Sequence, residues 1–233
     1  MAETNSNSSA VVTPGFFSRL TKSGSAVLER IRRKRILRKN HHLLHEGDDA
    51  GQFFEIVQGM VRIYRTTREA KEQTLEIHRA GDLAGLRDCL GQTTFHHSAV
   101  CMEDCEVYVY TLANLQEILA ADPAFHRVIA SWLASGWVAS ENRVHSLCTK
   151  PVHGRLAELI LSLGSQNDSI CFDFTRETLA SLLGTSTETI IRALSDFKSR
   201  HWIEVEKRSV RICNPAELMR LAEMHDRGLA VAS

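Results

Sequence analysis

Apolar residues change their spacing twice along the chain, and the changes divide it into three stretches. Between Phe16 and Arg33 they recur at helical spacing, with Leu20, Val27, Leu28 and Ile31 on one face. This predicts an amphipathic helix behind a polar, disordered tail over residues 1–12. From Ile36 to Tyr110 the pattern shortens into strands punctuated at Glu46-Gly47-Asp48, Gln58-Gly59, Ala80-Gly81-Asp82 and Gly91-Gln92. FFEIV (53–57) and VRIYR (61–65) read as a hairpin across Gln58-Gly59-Met60, and several such pieces make a small antiparallel roll or barrel. Helical spacing returns after Tyr110. Its long part starts at Asp122-Pro123, a capping residue followed by a proline whose missing N–H costs nothing there. Phe125, Val128, Ile129, Trp132, Leu133, Val138, Val144 and Leu147 continue the apolar stripe for about six turns.

After a break at Lys150-Pro151, the stretch Thr175–Phe197 reads as two short helices with a tight turn at Gly184. Leu179, Ala180, Leu182 and Leu183 form the apolar side of the first, and Ile190, Ala193, Leu194 and Phe197 that of the second. Thr185 or Ser186 is placed to cap the second helix, whose exposed front then carries Ser186, Thr187, Glu188, Ile191 and Arg192. In a helix-turn-helix that second helix enters the major groove. There a carboxylate accepts from cytosine N4 and a guanidinium donates twice to guanine O6 and N7. The plainer reading is a solvent-exposed i,i+4 pair, worth a few tenths of a kcal/mol. The next segment decides between them: Ile203, Val205, Val210 and Ile212 alternate around a charged Glu206-Lys207-Arg208-Ser209 tip, which predicts a two-stranded wing. Base reading is therefore assigned to Thr187, Glu188, Ile191 and Arg192. Backbone contacts fall to Thr175, Ser186, Lys198, Lys207 and Arg208, and a last helix runs from Pro215 to about Arg227.

The long stripe before Pro151 reads either as a buried strut or as a dimer helix. Two-fold DNA readers need two recognition helices about 34 Å apart, which favours the dimer and places its seam at Phe125, Val128, Ile129 and Trp132. The expected fold class is α+β: a β-roll sensor with flanking helices over 13–121, a dimerisation helix over 122–150 and a winged helix-turn-helix over 151–233.

The 233 residues and 43% apolar composition suffice for two modest cores. Charge balances at 28 basic and 28 acidic residues, which argues against a nonspecific nucleic-acid coat but permits locally placed positive groups. No apolar run reaches 18 residues, and the opening MAETNSNSSAVV lacks the order of a secretory signal, so a cytoplasmic, nucleoid-associated protein without a membrane partner is expected. HExxH, GxSxG, P-loop and dinucleotide fingerprints are all missing, which argues against an enzyme. An interaction adaptor with a degenerate helix-turn-helix would not need Glu188, Arg192 and a basic wing.

EGDDAGQFFEIVQGMVRIYR, GDLAG and LASLLGTSTETIIRALSDF, in this order and spacing, resemble the CRP/FNR family of bacterial transcription regulators over essentially the whole chain. The resemblance implies a cyclic-nucleotide-binding-like roll and a homodimer on a palindromic promoter element. It also implies contact with RNA polymerase and activation of transcription. Glu188 and Arg192 stand where the family reads bases with a glutamate and an arginine. Thr187 and Ile191 depart from its usual residues, so Ile191 is expected to meet a thymine methyl.

The same resemblance places effector candidates at Leu86, Arg87, His97 and Ser98. Relatives that bind cyclic AMP hold the ribose with an acid, where this chain has Leu86, and the phosphate with an arginine before Ser-Ala, where it has His97 before Ser98-Ala99. An apolar side chain and an imidazole cannot supply that charge-assisted cradle, which disfavours cyclic AMP. Iron-sulfur relatives use several N-terminal cysteines plus one at the place of Cys105. Here no cysteine precedes Cys89, so a cluster is disfavoured as well. Cys89, Cys101, Cys105, Cys148, Cys171 and Cys213 show no metal-finger spacing and read mainly as small buried hydrophobes. Cys101 and Cys105 are too far apart along a strand to bridge unless the chain turns at Glu103-Asp104. The imidazoles of His41, His42, His45 and His97 keep haem, and with it a gas or redox signal, as an alternative cofactor reading. No metal site is assigned.

Overall fold

The computed structural model describes residues 15–91, 93–163, 169–171, 174–206 and 209–223. The tail expected over 1–12 lies outside them. Two compact units emerge, one holding the chain to Thr66 and Leu75–Leu133, the other holding Thr67–Thr74 and Ala134–Ser233. The division falls inside the long helix, whereas the sequence reading set that helix apart as a segment of its own.

The first unit opens with a 3-10 turn, Phe16–Arg19, and α1 (Lys22–Ile31), capped by Thr21, whose hydroxyl accepts the Gly24 N–H. β1 (Arg33–Leu37), β2 (His42–Leu44), β3 (Gln52–Gln58), β4 (Val61–Thr66), β5 (Glu72–His78, of which Leu75–His78 lie in this unit) and β6 (Leu83–Ala84) follow. After them come α2 (Leu86–Gly91), β7 (Ser98–Cys101), β8 (Cys105–Thr111), α3 (Leu112–Ala121) and α4 (Phe125–Thr149). The strands form two four-stranded sheets, ordered β1-β8-β3-β6 and β2-β7-β4-β5. This is the expected roll.

The expected hairpin of 53–57 with 61–65 does not form. β3 pairs with β8 and β6, with Phe54 opposite Val109, while β4 pairs with β7, with Arg62 opposite Val100. The intervening turn passes the chain from one sheet to the other instead of folding it back. Gly59 makes that passage with φ +94°, and a Cβ there would lie 2.7 Å from Cys105 Sγ and 2.8 Å from the Asp104 carbonyl oxygen. Only glycine fits both the conformation and the space.

Phe53, Ile56, Val61, Val107, Tyr110, Leu115 and Ile118 are almost completely buried in the roll's core. Asp122 ends α3 and accepts the Thr21 N–H at 2.8 Å, tying the entry of α1 to the exit of α3. The start of α4 then enters this same core, which takes Phe125 and Ile129 out of the dimer assignment. Phe125 is 1% exposed and Ile129 7%, and Val128 and Trp132 pack against the same cluster. Phe16 supplies the cover, its ring 5.2 Å from that of Phe125 and 5.6 Å from that of Trp132. Burying the two large apolar side chains stabilises the roll by roughly 3–6 kcal/mol before entropy is charged. They have no surface left for a partner. The large apolar residues of α4 that remain exposed are Leu133, Trp137, Val138, Val144 and Leu147.

The second unit continues with α5 (Val152–Leu163), β9 (Ser169–Cys171), α6 (Arg176–Leu183), α7 (Thr187–Ser199), β10 (Ile203–Glu206), β11 (Ser209–Ile212) and α8 (Pro215–Glu223). At the break before α5, Arg155 donates to the carbonyls of Leu147 and Lys150, satisfying acceptors that the end of α4 leaves open. Leu156, Ile160, Leu179, Ile190, Phe197 and Leu218 form the core. Gly154 lets α5 approach α8 closely, since a Cβ there would sit 3.1 Å from the Leu221 carbonyl oxygen. Residues 224–227, expected to extend α8, lie outside the described residues. Among those described, no helix is long and apolar enough to cross a membrane.

Candidate nucleic-acid interface

Local hydrogen bonds fix where each helix of the reading unit begins and ends. Thr175 caps α6, its hydroxyl accepting the Thr178 N–H at 3.1 Å. Gly184 ends the helix in the left-handed conformation, φ +61° and ψ +48°, and the next amide, Thr185, bonds back to the Ala180 carbonyl at 2.9 Å. Ser186 then caps α7 by accepting the Thr189 N–H at 3.2 Å. Of the two capping candidates, Ser186 is the one used. Three residues thus turn the chain between two capped helices, and α7 is anchored from behind by Ile190, Ala193, Leu194 and Phe197, all buried.

The other face of α7 is free. Glu188, Ile191 and Arg192 are exposed, with Ile191 at 49%, and Thr187 is half-buried at the helix start. Hydrogen bonding from its own backbone N–H and from Ser186, together with the Arg192 charge, holds the Glu188 carboxyl below the usual range. At neutral pH it is an acceptor only. Arg192 forms no salt bridge with any described residue, so the plain i,i+4 surface pair is not closed and both ends stay available. Ser195 is also exposed, one turn beyond Ile191 and Arg192. Its helical spacing from Glu188, Ile191 and Arg192 places it on the same front, beyond the four residues assigned to base reading from sequence. Lys198 ends this exposed line near the C-terminus of α7.

β10 and β11 form the wing, pairing Ile203 with Ile212, Glu204 with Arg211 and Val205 with Val210. Ile203 and Val210 are buried, and the Glu204 carboxylate lies 3.5 Å from the Arg211 guanidinium across the strands. A third strand, β9, pairs with β11 and makes the wing a three-stranded sheet. Lys207 and Arg208, assigned to the DNA backbone at the wing tip, lie outside the described residues.

In the roll, the four effector candidates do not converge on a polar cradle. Leu86 opens α2 fully buried, while Arg87, next to it, is exposed. His97 is buried with Nδ1 3.6 Å from Asp88 Oδ2, and His96 Nδ1 lies 2.9 Å from Asp88 Oδ1. Burial holds the His97 imidazole below its ordinary pKa, against the opposing pull of Asp88, so the ring is neutral near pH 7. Ser98 accepts the Glu46 N–H at 3.0 Å. Leu86, His97 and Ser98 are thus apolar, neutral and already engaged by the protein, respectively, and Arg87 is left as the one exposed cation among the four candidates.

His42 stacks on His45 with ring centroids 4.5 Å apart, and no three His, Cys, Asp or Glu among the described residues are grouped to hold a metal ion. The chain does turn between Cys101 and Cys105, at Met102–Asp104, and brings the two thiols into hydrogen-bonding contact. Both are fully buried, and burial pushes the Cys101 thiol up to about 12 and Cys89 up to about 11. Thiolate is the reactive form, so these sulfurs are inert near neutral pH.

A roll of this topology, followed in the same chain by a capped and winged helix-turn-helix, defines a DNA-binding regulator with a sensor-type domain. The comparisons with known proteins agree. The model of the cyclic nucleotide-binding domain matches residues 34–122, and that of the Crp-like helix-turn-helix domain matches residues 154–221. The CRP-like cAMP-activated global transcriptional regulator of Mycobacterium tuberculosis is 27% identical over 215 residues, spanning 89% of this chain and 96% of that protein. The fumarate and nitrate reduction regulatory protein of Escherichia coli is 26% identical over 207 residues, 86% of this chain and 82% of that one. Among solved structures, FixK2 from Bradyrhizobium japonicum superimposes with a TM-score of 0.77 at 21% identity, covering 83% of this chain and 98% of its own. The chain belongs to the CRP/FNR family: it is a DNA-binding transcription regulator and not an enzyme.

Proposed function

We propose that the protein works as a homodimer that reads an inverted-repeat promoter element and activates transcription by contacting RNA polymerase. The observation that carries this reading is the front of α7, where Glu188 and Arg192 stand exposed and not joined in a salt bridge, on a helix capped at its start and anchored behind. Each helix would read one half-site, with Glu188 accepting from a cytosine, Arg192 donating to a guanine, and Thr187 and Ile191 adjusting preference. Thr175, Ser186 and Lys198 would hold the phosphates on either side.

Support for the dimer comes from α4. Leu133, Trp137, Val144 and Leu147 are exposed, and with Ser140 they recur at alternating steps of four and three residues. That is the spacing of a coiled-coil seam, and a second copy of the same helix is its natural cover. Contact with RNA polymerase is the activation route that membership of the family suggests.

The roll is proposed to answer to a signal other than cyclic AMP, unlike the relative whose name records activation by that nucleotide. Leu86 and His97 offer neither the carboxylate nor the guanidinium that a ribose and a cyclic phosphate require. Calorimetry with cyclic AMP is expected to give no saturable heat up to millimolar nucleotide, and duplex affinity is expected to be the same with and without it. Saturation at micromolar concentration would overturn this part of the reading. A haem would have to take His42 or His45 out of their mutual stack, uncover the buried His97 or use the exposed His41, and an anaerobic visible spectrum of the purified protein is expected to show no Soret band.

A further inference from the structure

We propose that the roll carries a second ligand site, for a nucleotide bearing two or more phosphate groups, in the basin beside β1. The basin has a volume of about 500 Å³, and Arg30, Arg33 and Arg35 stand around it with no carboxylate in its lining. It shares no residue with α2 or β7, where the effector candidates lie.

Strand geometry explains how the charge collects. Successive side chains of β1 alternate between faces, so Arg33 and Arg35 share one side and Lys34 takes the other. Lys34 is neutralised by Glu106 at 2.7 Å. Arg33 and Arg35 form no ion pair with any described residue, and Arg30 pairs with Glu117. The strand thus separates a compensated face from an uncompensated one. Guanidiniums gathered at one depression repel each other, and a multiply charged anion removes that repulsion. Their planar forks suit phosphate, which accepts two parallel hydrogen bonds from each.

The remaining lining suits the rest of a nucleotide. Val109 lies opposite Arg33 in the sheet and, with Ile31, gives the basin an apolar part on which a base can lie. Thr111 and Asn114 form the capping box of α3, in which Asn114 Oδ1 accepts the Thr111 N–H at 3.0 Å. That leaves the Asn114 amino group to donate. The Gln52 side-chain amide has no hydrogen-bond partner among the described residues and offers both a donor and an acceptor. The volume is in the range of small-molecule sites, about 300–1,000 Å³. A duplex polyanion would need these cations on an open ridge, whereas here they line a depression.

The test is calorimetry on the full chain in magnesium-free buffer, with GTP and inorganic pyrophosphate as probes. Both are expected to saturate, GTP about tenfold more tightly because it also uses the apolar part and the amides. Combining Arg33→Gln with Arg35→Gln should weaken GTP by about tenfold or more, while Lys34→Gln, on the compensated face, should change it less than about twofold. Both arginines are exposed, and the unchanged thermal midpoint expected of the double variant would show that its fold is kept. Its affinity for duplex DNA in the absence of nucleotide should also stay as it was, which separates this site from the reading helix. Failure of both probes to saturate would overturn the proposal. So would GTP binding that survives the double substitution, which would place it elsewhere, or an equal loss in Lys34→Gln, which would reduce it to general surface charge.

Discussion

Replacing Arg192 by alanine is expected to remove about 1–3 kcal/mol of discrimination at a guanine in each half-site. The guanidinium is exposed and free of salt bridges with described residues, and the cap and buried face of α7 are untouched by its removal. The helix should therefore keep its place while losing one pair of directed hydrogen bonds. Affinity for the specific site would fall by about ten- to a hundredfold, and affinity for scrambled duplex would change far less. Lys198→Ala supplies the contrast. As a phosphate contact it should weaken specific and scrambled duplexes alike and reduce the salt slope by about one. Titrations of both variants against matched and scrambled duplexes at several salt concentrations separate the two roles. Equal loss on both duplexes for Arg192→Ala would make it a backbone contact and leave Glu188 without its base-reading companion.

Trp137→Asp is expected to dissociate the dimer and take most of the operator affinity with it. Trp137 is 71% exposed on α4, flanked along the proposed seam by Leu133 and Val144. An unpaired carboxylate buried in that seam costs several kcal/mol, and two half-sites are bound tightly only when the reading units are coupled. Sedimentation at micromolar concentration should show the dimer falling to monomer. Trp132→Asp, five residues earlier, should act differently, because Trp132 packs on the roll core beside Phe16. Its main effect should be a lower thermal midpoint. Unchanged mass for Trp137→Asp would remove this seam from the account, and dissociation by Trp132→Asp at unchanged thermal stability would restore the assignment read from sequence.

That pair of substitutions shows where the sequence was informative and where it was not. The apolar stripe of α4 was visible as a stripe, but which part of it meets the chain's own core depends on Phe16 and Phe17, about a hundred residues away in sequence. Nothing in helical spacing carries that information. The strands 53–57 and 61–65 were equally visible, and their pairing was not, because β3 finds its partner β8 some fifty residues later. Alternation marks a strand, whereas partnership is a long-range choice made by the packing of both sheets. The reading helix was legible nearly residue by residue, since its determinants are local: Gly184 for the left-handed turn, Ser186 for the cap, and Ile190, Ala193, Leu194 and Phe197 for the buried face. Ser195 belongs to the same front by the same spacing, and its short neutral side chain is what makes it inconspicuous in the sequence. β9 was not legible, for Ser169–Cys171 is three residues long and becomes a strand only by pairing with β11.

In the effector cradle residue identity alone shows that an acid and an arginine are missing, and the structure shows what occupies two of those places. His97 does not merely lack an arginine's charge. It is buried beside Asp88, and Ser98 next to it is engaged by the Glu46 backbone. Restoring an arginine at 97 alone would therefore set a cation into space the protein has already filled, and would leave Leu86 without the acid's function.

The central claim is that α7 reads sequence as one of a symmetric pair, and selection from a pool of random duplexes tests it most directly. The purified full-length protein should enrich an inverted repeat whose half-site centres lie about one helical turn apart, about 10 base pairs, with a guanine in each half-site whose enrichment disappears in Arg192→Ala. A pool that stays random after repeated rounds, or that converges on a single unrepeated element indifferent to Arg192, would contradict it.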